Sequence, residues 1–149
     1  MSMKSEIDLH NRTLFEEFRR LDLRQGEYAI TSSGPLGVRN IRKINDIDIL
    51  LTDGYWGELK SRFAIFNEDG FIKLRLSNNV EAIYSGSFDG AANDSKIPTV
   101  KEQIQKAEQI QGMYFVSLEH IVLFKELSKR QKDKEDIELI NKWLFRESD

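Results

Sequence analysis

The run Asp46-Ile47-Asp48-Ile49-Leu50-Leu51 restricts this chain more than any other segment. Side chains alternate across a strand, so Ile47 and Ile49 share one face while Asp46 and Asp48 share the other. Aspartate is depleted in strands, and two neighbouring carboxylates on one face repel each other. The run therefore predicts a strand that buries its isoleucines and that needs either solvent or a bound cation on its acidic face.

Composition places the chain among globular proteins of one domain, with 149 residues, 40% of them hydrophobic and 32% charged. Cysteine is absent, and two histidines, His10 and His120, are too few for a multi-histidine zinc site. The net charge of −3 disfavours broad electrostatic binding to DNA. No apolar run has the length of a membrane span, and the first residues lack the apolar core of a signal peptide. We therefore expect no membrane association and a cytoplasmic location.

Hydrophobic periodicity predicts an α+β fold, in which helices flank a mixed sheet and further helices follow at the C-terminus. Predicted helices cover residues 8–24, 55–63 and 99–110, the last with a Thr99 capping box, and two more are capped by Ser117 and Asp133. Predicted strands cover residues 28–32, 46–51, the antiparallel pair 71–76 and 80–84, and an edge strand at 113–116.

The segments between these elements complete the predicted organisation. Residues 33–37 are interpreted as a turn, and residues 85–98, rich in Gly, Ser, Asn and Asp, as a long loop. The order of elements predicts a single domain with three parts: an N-terminal helix at 1–25, a core at 26–98 and a C-terminal helical part at 99–149.

A third carboxylate and a turn of small residues add to the acidic strand. Glu81 lies in the second strand of the predicted pair, and it would face the same cation if that strand neighbours residues 46–51. Three carboxylates on adjacent strands suit a two-metal site for phosphoryl or nucleotidyl transfer. At the turn Ser32-Ser33-Gly34-Pro35, backbone N–H groups and the Ser33 hydroxyl could bind phosphate oxygens. Taken singly, Glu81 also fits an exposed edge strand, and the turn an ordinary loop.

Together these segments resemble the nucleotidyltransferase superfamily typified by DNA polymerase beta, and within it the minimal and antibiotic nucleotidyltransferases. That pattern has a Gly-Ser or Gly-Gly pair at a strand end, an Asp-x-Asp strand downstream and a third acid in a later strand. Here Ser32-Ser33 stands at the pair, Asp46-Ile47-Asp48 begins thirteen positions after Ser33, and Glu81 stands at the third acid. Ser32 departs from the pattern, which usually has glycine there.

The resemblance extends into the C-terminal helices and covers residues 26–145. Small members of the superfamily often carry a hydroxyl residue with a nearby acid, then a Lys, an Arg, and a Lys-Asp pair followed by a further Asp. The matching residues of this chain are Ser117 with Glu119, Lys125, Arg130, Lys132-Asp133 and Asp136.

The resemblance implies a nucleotidyltransferase-like fold and a reaction that moves a nucleoside monophosphate from a nucleoside triphosphate to a hydroxyl. By that resemblance Asp46, Asp48 and Glu81 are the catalytic acids and hold Mg²⁺, or Mn²⁺ in its place. Glu81 is in addition the expected general base. The expected nucleotide and phosphate contacts are Ser32, Ser33, Gly34, Arg39, Arg42 and Lys125. For the three basic residues of that set, a solvated helix surface of mixed charge is the other interpretation.

The acceptor and the activity itself stay open. We expect a small molecule or a partner protein as acceptor, because 149 residues leave no room for the additional domains of a polymerase. The segment 85–98 or a second copy of the chain could complete the acceptor pocket. The alternative function is a catalytically inactive domain of the same fold that binds a nucleotide or a partner protein, as in toxin–antitoxin pairs. A metal-dependent nuclease is disfavoured because the phosphate-binding turn precedes the acids.

Overall fold

The computed structural model describes residues 3–91, 96–128 and 130–148, which form a mixed sheet covered by helices. Within these ranges the strands are β1 (Tyr28–Thr31), β2 (Ile47–Leu51), β3 (Ala64–Glu68), β4 (Phe71–Ser77), β5 (Val80–Ile83), β6 (Glu108–Ile110) and β7 (Met113–Phe115). They lie in the order β3-β4-β5-β2-β1-β7-β6. The sheet is mixed because β2 pairs antiparallel with β1 and parallel with β5. The predicted α+β class is thus confirmed.

The helices of the described ranges are α1 (Met3–Arg20), α2 (Gly34–Val38), α3 (Asp53–Leu59), α4 (Ser85–Ala91), α5 (Val100–Gln105), α6 (Leu118–Lys125) and α7 (Gln131–Ser148). The predicted caps of α5 and α6 are present: Thr99 forms a capping box with Glu102, and the Ser117 hydroxyl accepts a hydrogen bond from the His120 N–H. Helices α1 and α3 begin and end a few residues earlier than predicted. No helix in the described part of the chain combines the length and apolar character needed to cross a membrane.

The central strand β2 is buried on both faces of the sheet. Ile47 and Ile49 belong to a cluster that includes apolar residues of α1 and α3. Leu50 belongs to a second cluster, with residues of α4, α5, α6 and α7. Because Asp48 alternates with the isoleucines, its side chain lies on the Leu50 face. The acidic face of β2 is therefore the face that helices α4 to α7 cover at Leu50.

Two hairpins correct the predicted elements. Asp69-Gly70 joins β3 to β4 with φ angles of 52° and 86°, and Gln111-Gly112 joins β6 to β7 with φ angles of 53° and 79°. Left-handed φ at both central residues matches the twist of the flanking strands, and glycine adopts it without strain. The prediction of one helix over 99–110 is wrong beyond Gln105, because Glu108–Ile110 instead pairs with β7 across this turn.

Two segments predicted as turn or loop contain helices. Gly34–Val38 forms α2, whose start suits Pro35 because a proline N–H is not needed in the first turn. Ser85–Ala91 forms α4, because Phe88 is buried and its ring stacks on Phe124. Residues 92–95 of the predicted loop lie outside the described residues.

The predicted cap of the last helix is also wrong. Helix α7 begins at Gln131, so Asp133 lies inside its first turn and not at its N-cap. The carboxylate of Asp133 instead accepts a hydrogen bond from the buried Lys125 ammonium at 3.0 Å. The acid is therefore placed by an ion pair with the preceding helix.

Candidate functional site

The turn between β1 and α2 has a backbone that explains its small residues. Ser32 has a left-handed φ of 58°, a conformation that glycine adopts more readily than serine. Ser33 follows at the N-cap of α2, and its carbonyl accepts hydrogen bonds from two N–H groups of that helix. A Cβ on Gly34 would overlap Cγ2 of the buried Ile30, so the close approach of α2 to β1 requires glycine.

The three predicted acids lie at the centre of the sheet. Asp48 of β2 and Glu81 of β5 are register partners on neighbouring parallel strands. Asp46 immediately precedes β2 and is exposed. The side chains of Asp48 and Glu81 are only 15% and 10% exposed. The fold thus brings the strand of Glu81 beside the strand of Asp48, as a shared site requires.

Two basic side chains of β4 contact these acids, and neither was among the predicted site residues. The Lys73 Nζ atom lies 2.9 Å from Glu68 Oε1, 3.4 Å from Glu81 Oε1 and 4.0 Å from Asp48 Oδ1. The Arg75 guanidinium lies 2.9 Å from Glu81 Oε2. Because β4 and β5 pair antiparallel with Arg75 opposite Glu81, the strand alternation carried the signal that these cations share the acidic face.

Asp48 has a buried oxygen, Oδ1, that forms no hydrogen bond within the described part of the chain. Burial raises the pKa of Asp48 to about 7; attraction by Lys73 opposes this, and the charges of Asp46 and Glu81 add to it. An inward carboxylate oxygen with no donor fits an oxygen-ligated cation such as Mg²⁺.

A cavity of about 720 Å³ opens beside these groups. Its polar wall includes the side chains of Ser32, Ser33, Asp46, Asp48 and Lys73. Its apolar wall includes Phe71, Ile83, Phe88, Ile121 and Phe124. Among the predicted site residues, Arg42 and Lys125 also line the cavity, whereas Gly34, Arg39 and Glu81 do not. One space therefore joins the small-residue turn to the acidic strand.

The two predicted basic residues that line this cavity, Arg42 and Lys125, are paired with carboxylates of α7. Arg42 donates to both oxygens of Asp136, at 2.6 Å and 2.8 Å. Lys125 lies 3.0 Å from oxygens of both Asp133 and Asp136. Burial alone would raise the pKa values of these aspartates, but hydrogen bonds from their cationic partners outweigh it and lower both. Arg42 and Lys125 thus fix α7 against the core.

The third predicted basic residue, Arg39, lies away from the cavity lining. Its guanidinium forms an ion pair with Glu108 at 2.8 Å and donates to the Pro35 carbonyl at 2.8 Å. Its Cζ atom also lies 5.5 Å from the centre of the Trp143 ring. These contacts connect α2 with β6 and α7.

His120, which was not among the predicted site residues, lines the cavity from α6. Within the described ranges, its Nδ1 atom is buried without a hydrogen-bond partner. A histidine on an apolar helix gives no sequence signal of this placement.

No protein-family model matches this chain, and no curated protein shows significant similarity to it. Among the described residues, no three histidine or acidic side chains are already arranged as a metal centre. The Lys73 ammonium lies between the carboxylates in question. The unpartnered oxygen of Asp48 is the feature of this site that fits a metal ion.

Proposed function

We propose that this chain is a Mg²⁺-dependent nucleotidyltransferase that moves a nucleoside monophosphate from a nucleoside triphosphate to a hydroxyl, with a nucleotidyltransferase-like fold. The observation that carries the proposal is the unpartnered Asp48 oxygen beside Glu81, on the wall of a cavity that also contains Ser32 and Ser33. Acids on adjacent strands next to a small-residue turn are what transfer of a phosphoryl group needs for charge stabilisation and phosphate positioning.

Each residue of the site has a separate role in this proposal. Asp46, Asp48 and Glu81 would hold the ion, with Mn²⁺ as the alternative to Mg²⁺. When bound, the ion would neutralise charge that develops on the phosphate oxygens. The Ser33 hydroxyl would donate to a phosphate oxygen. As the acceptor hydroxyl forms its bond to the α-phosphorus and pyrophosphate leaves, Glu81 would take the hydroxyl proton.

The acceptor is a small molecule or a partner protein in this proposal. The apolar wall of the cavity supports an acceptor or base with an apolar part, because it includes Phe71, Ile121 and Phe124. A second copy of the chain, completing the acceptor side, belongs to the same proposal.

A catalytically inactive domain that binds a nucleotide or a partner protein is the second candidate. One observation favours it: Lys73, Arg42 and Lys125 are all paired with carboxylates of the chain itself. Cations used in this way contribute less to binding a triphosphate. Serine at position 32, where the nucleotidyltransferase pattern usually has glycine, also favours the inactive domain, since it has to adopt a left-handed φ.

The first experiment measures ligand binding by thermal unfolding of the full chain with each of the four nucleoside triphosphates and Mg²⁺ or Mn²⁺. A ligand at 100 times its Kd stabilises the folded state by about 2.7 kcal/mol. Asp48→Asn is expected to lose the metal-dependent part of this stabilisation. Asp69→Asn, a matched change at an exposed position of the same cavity, is expected to keep it. Absence of any shift in the parent chain contradicts both candidate functions that involve a nucleotide.

The second experiment separates transfer from binding. Pyrophosphate release is measured with the preferred triphosphate and clarified cell extract as the source of acceptor. We expect release by the parent chain, none by the double variant Asp46→Asn/Asp48→Asn, and nucleotide binding without release by Glu81→Gln. Normal turnover by Glu81→Gln contradicts the role of Glu81 as base. Binding without release, also with added candidate acceptors, favours the inactive domain.

A further inference from the structure

Lys73 contacts acids from three different strands. Its Nζ atom lies within 4.0 Å of carboxylate oxygens on β2, β3 and β5. The side chains of Lys73, Asp48 and Glu81 are 11%, 15% and 10% exposed. Glu68, at the end of β3, is half exposed. A buried acidic pair needs a compensating positive charge to fold, and this ammonium supplies it.

The three contacts are unequal. The ammonium donates to Glu68 at 2.9 Å and to Glu81 at the longer distance of 3.4 Å, and it forms no hydrogen bond with Asp48. The best contact of Lys73 is therefore with the acid outside the buried pair. An ammonium on four flexible carbons can keep one partner while it leaves the others.

We propose that Lys73 is the resident cation of this acidic cluster and that a divalent cation displaces its ammonium from Asp48 and Glu81, while its hydrogen bond to Glu68 remains. The inference rests on the proposed metal site of the preceding section. Lys73 thus acts as a positioning residue: it keeps the carboxylates in place without metal, and its departure opens their oxygens to the ion. The cost of this departure sets the metal affinity.

Arg75 provides the matched control, because a nearby positive charge weakens cation binding even without occupying the site. The Arg75 guanidinium contacts the same acid, Glu81, at 2.9 Å, but through the other oxygen. Its side chain is 47% exposed, so water screens its charge. Displacement predicts a much larger effect from removing Lys73 than from removing Arg75, whereas a general charge effect predicts similar ones.

The experiment measures Mn²⁺ binding to the full, metal-free chain by electron paramagnetic resonance, with Mn²⁺ alone as the probe. We expect Lys73→Met to bind Mn²⁺ about tenfold more tightly than the parent chain, equivalent to about 1.4 kcal/mol. Arg75→Met is expected to change the affinity by no more than about threefold, since exposed pairs are weak. Asp48→Asn is expected to lose the site in either background.

Thermal unfolding supplies the second measurement. In EDTA, Lys73→Met is expected to unfold at a lower temperature than the parent, because Asp48 loses its cation and Glu81 keeps only Arg75. Saturating Mn²⁺ should raise the unfolding temperature of the variant more than that of the parent. Lys73→Gln replaces it if the methionine variant does not fold. In the parent chain itself, the ¹³Cε signal of Lys73 should shift when Mg²⁺ is added.

The outcomes separate this inference from the proposed function. Equal Mn²⁺ affinity in the parent and Lys73→Met, or equal gains for Lys73→Met and Arg75→Met, overturns the displacement and leaves the metal site standing. Folded chains that bind no Mn²⁺, with or without Lys73, overturn both. Unchanged binding by Asp48→Asn places the ion elsewhere and likewise overturns both.

Discussion

Replacing Asp48 with asparagine is expected to remove a pH-dependent loss of stability from the metal-free protein. The pKa of Asp48 is raised to about 7 by burial, and the ordinary value in an unfolded chain is about 3.9. The folded state therefore binds the proton more tightly than the unfolded state does. The stabilising effect of that proton is complete below about pH 4 and is lost as the pH rises towards 7.

The magnitude follows from the difference between the two pKa values. Each pKa unit corresponds to 1.36 kcal/mol, so the complete loss amounts to about 4 kcal/mol. About 2–3 kcal/mol of it falls between about pH 5 and about pH 8. Asparagine cannot ionise, so Asp48→Asn should gain this amount relative to the parent chain over that interval. For a chain of this length the gain equals roughly 4–12 °C in Tm.

The assay is thermal or urea unfolding in EDTA at several pH values, with the result expressed as the difference between variant and parent. Taking the difference cancels the titration of all other groups that the substitution leaves unchanged. Asp69→Asn makes the same chemical change at an exposed position and should stay within about 0.5 kcal/mol of the parent throughout. A difference for Asp48→Asn that does not change with pH would refute the reasoning, because it would mean that pairing with Lys73 fully offsets the burial of Asp48.

Three further substitutions test the packing around the site and the stability of α3. Lys125→Met should destabilise the fold by about 1–3 kcal/mol in urea unfolding, because the buried carboxylates of Asp133 and Asp136 each lose one cationic partner and keep their arginine partners. Exposed Lys132→Met should cost less than about 0.5 kcal/mol. Gly34→Ala should cost about 1–3 kcal/mol, since the new Cβ meets Ile30, and no change would contradict the close approach of α2. Gly57→Ala, in a helix with open space around it, should raise stability by about 0.5–1 kcal/mol in the same assay.

The alternation of acidic and apolar residues at 46–51 predicted the central strand of the fold, because the strand that pairs with it follows the same alternation. Ile47 and Ile49 are fully buried, and Asp48 lies beside Glu81, as the alternation of the two strands implies. Strand β3 escaped prediction because most of its side chains are exposed, so it has no buried face to give a period. The turn Asp69-Gly70 next to it was nevertheless a strong hairpin signal.

Cations and helix lengths were harder to predict for a different reason. Lys73 looks like the solvated side of a strand, and the register of β4 against β5, which the predicted pair did not include, places it on the face of the acids. The helix α4 depends on Phe88 packing against Phe124, a contact between residues distant in sequence. Periodicity reports which residues share a face; which face another element covers is decided by tertiary packing.

The position of the acidic strands within the sheet has a consequence for local unfolding. Strands β2 and β5 have hydrogen-bonded neighbours on both sides, whereas β3 is at an edge. Amide hydrogens of interior strands exchange with solvent through large unfolding events, whereas those of edge segments exchange through small, frequent local openings. Asp48 and Glu81 therefore lie on strands whose amide hydrogens exchange slowly. Glu68, the third partner of Lys73, lies on a strand that opens first. Separation of β3 from β4 would release Lys73 from Glu68 while the geometry of the two buried carboxylates persists.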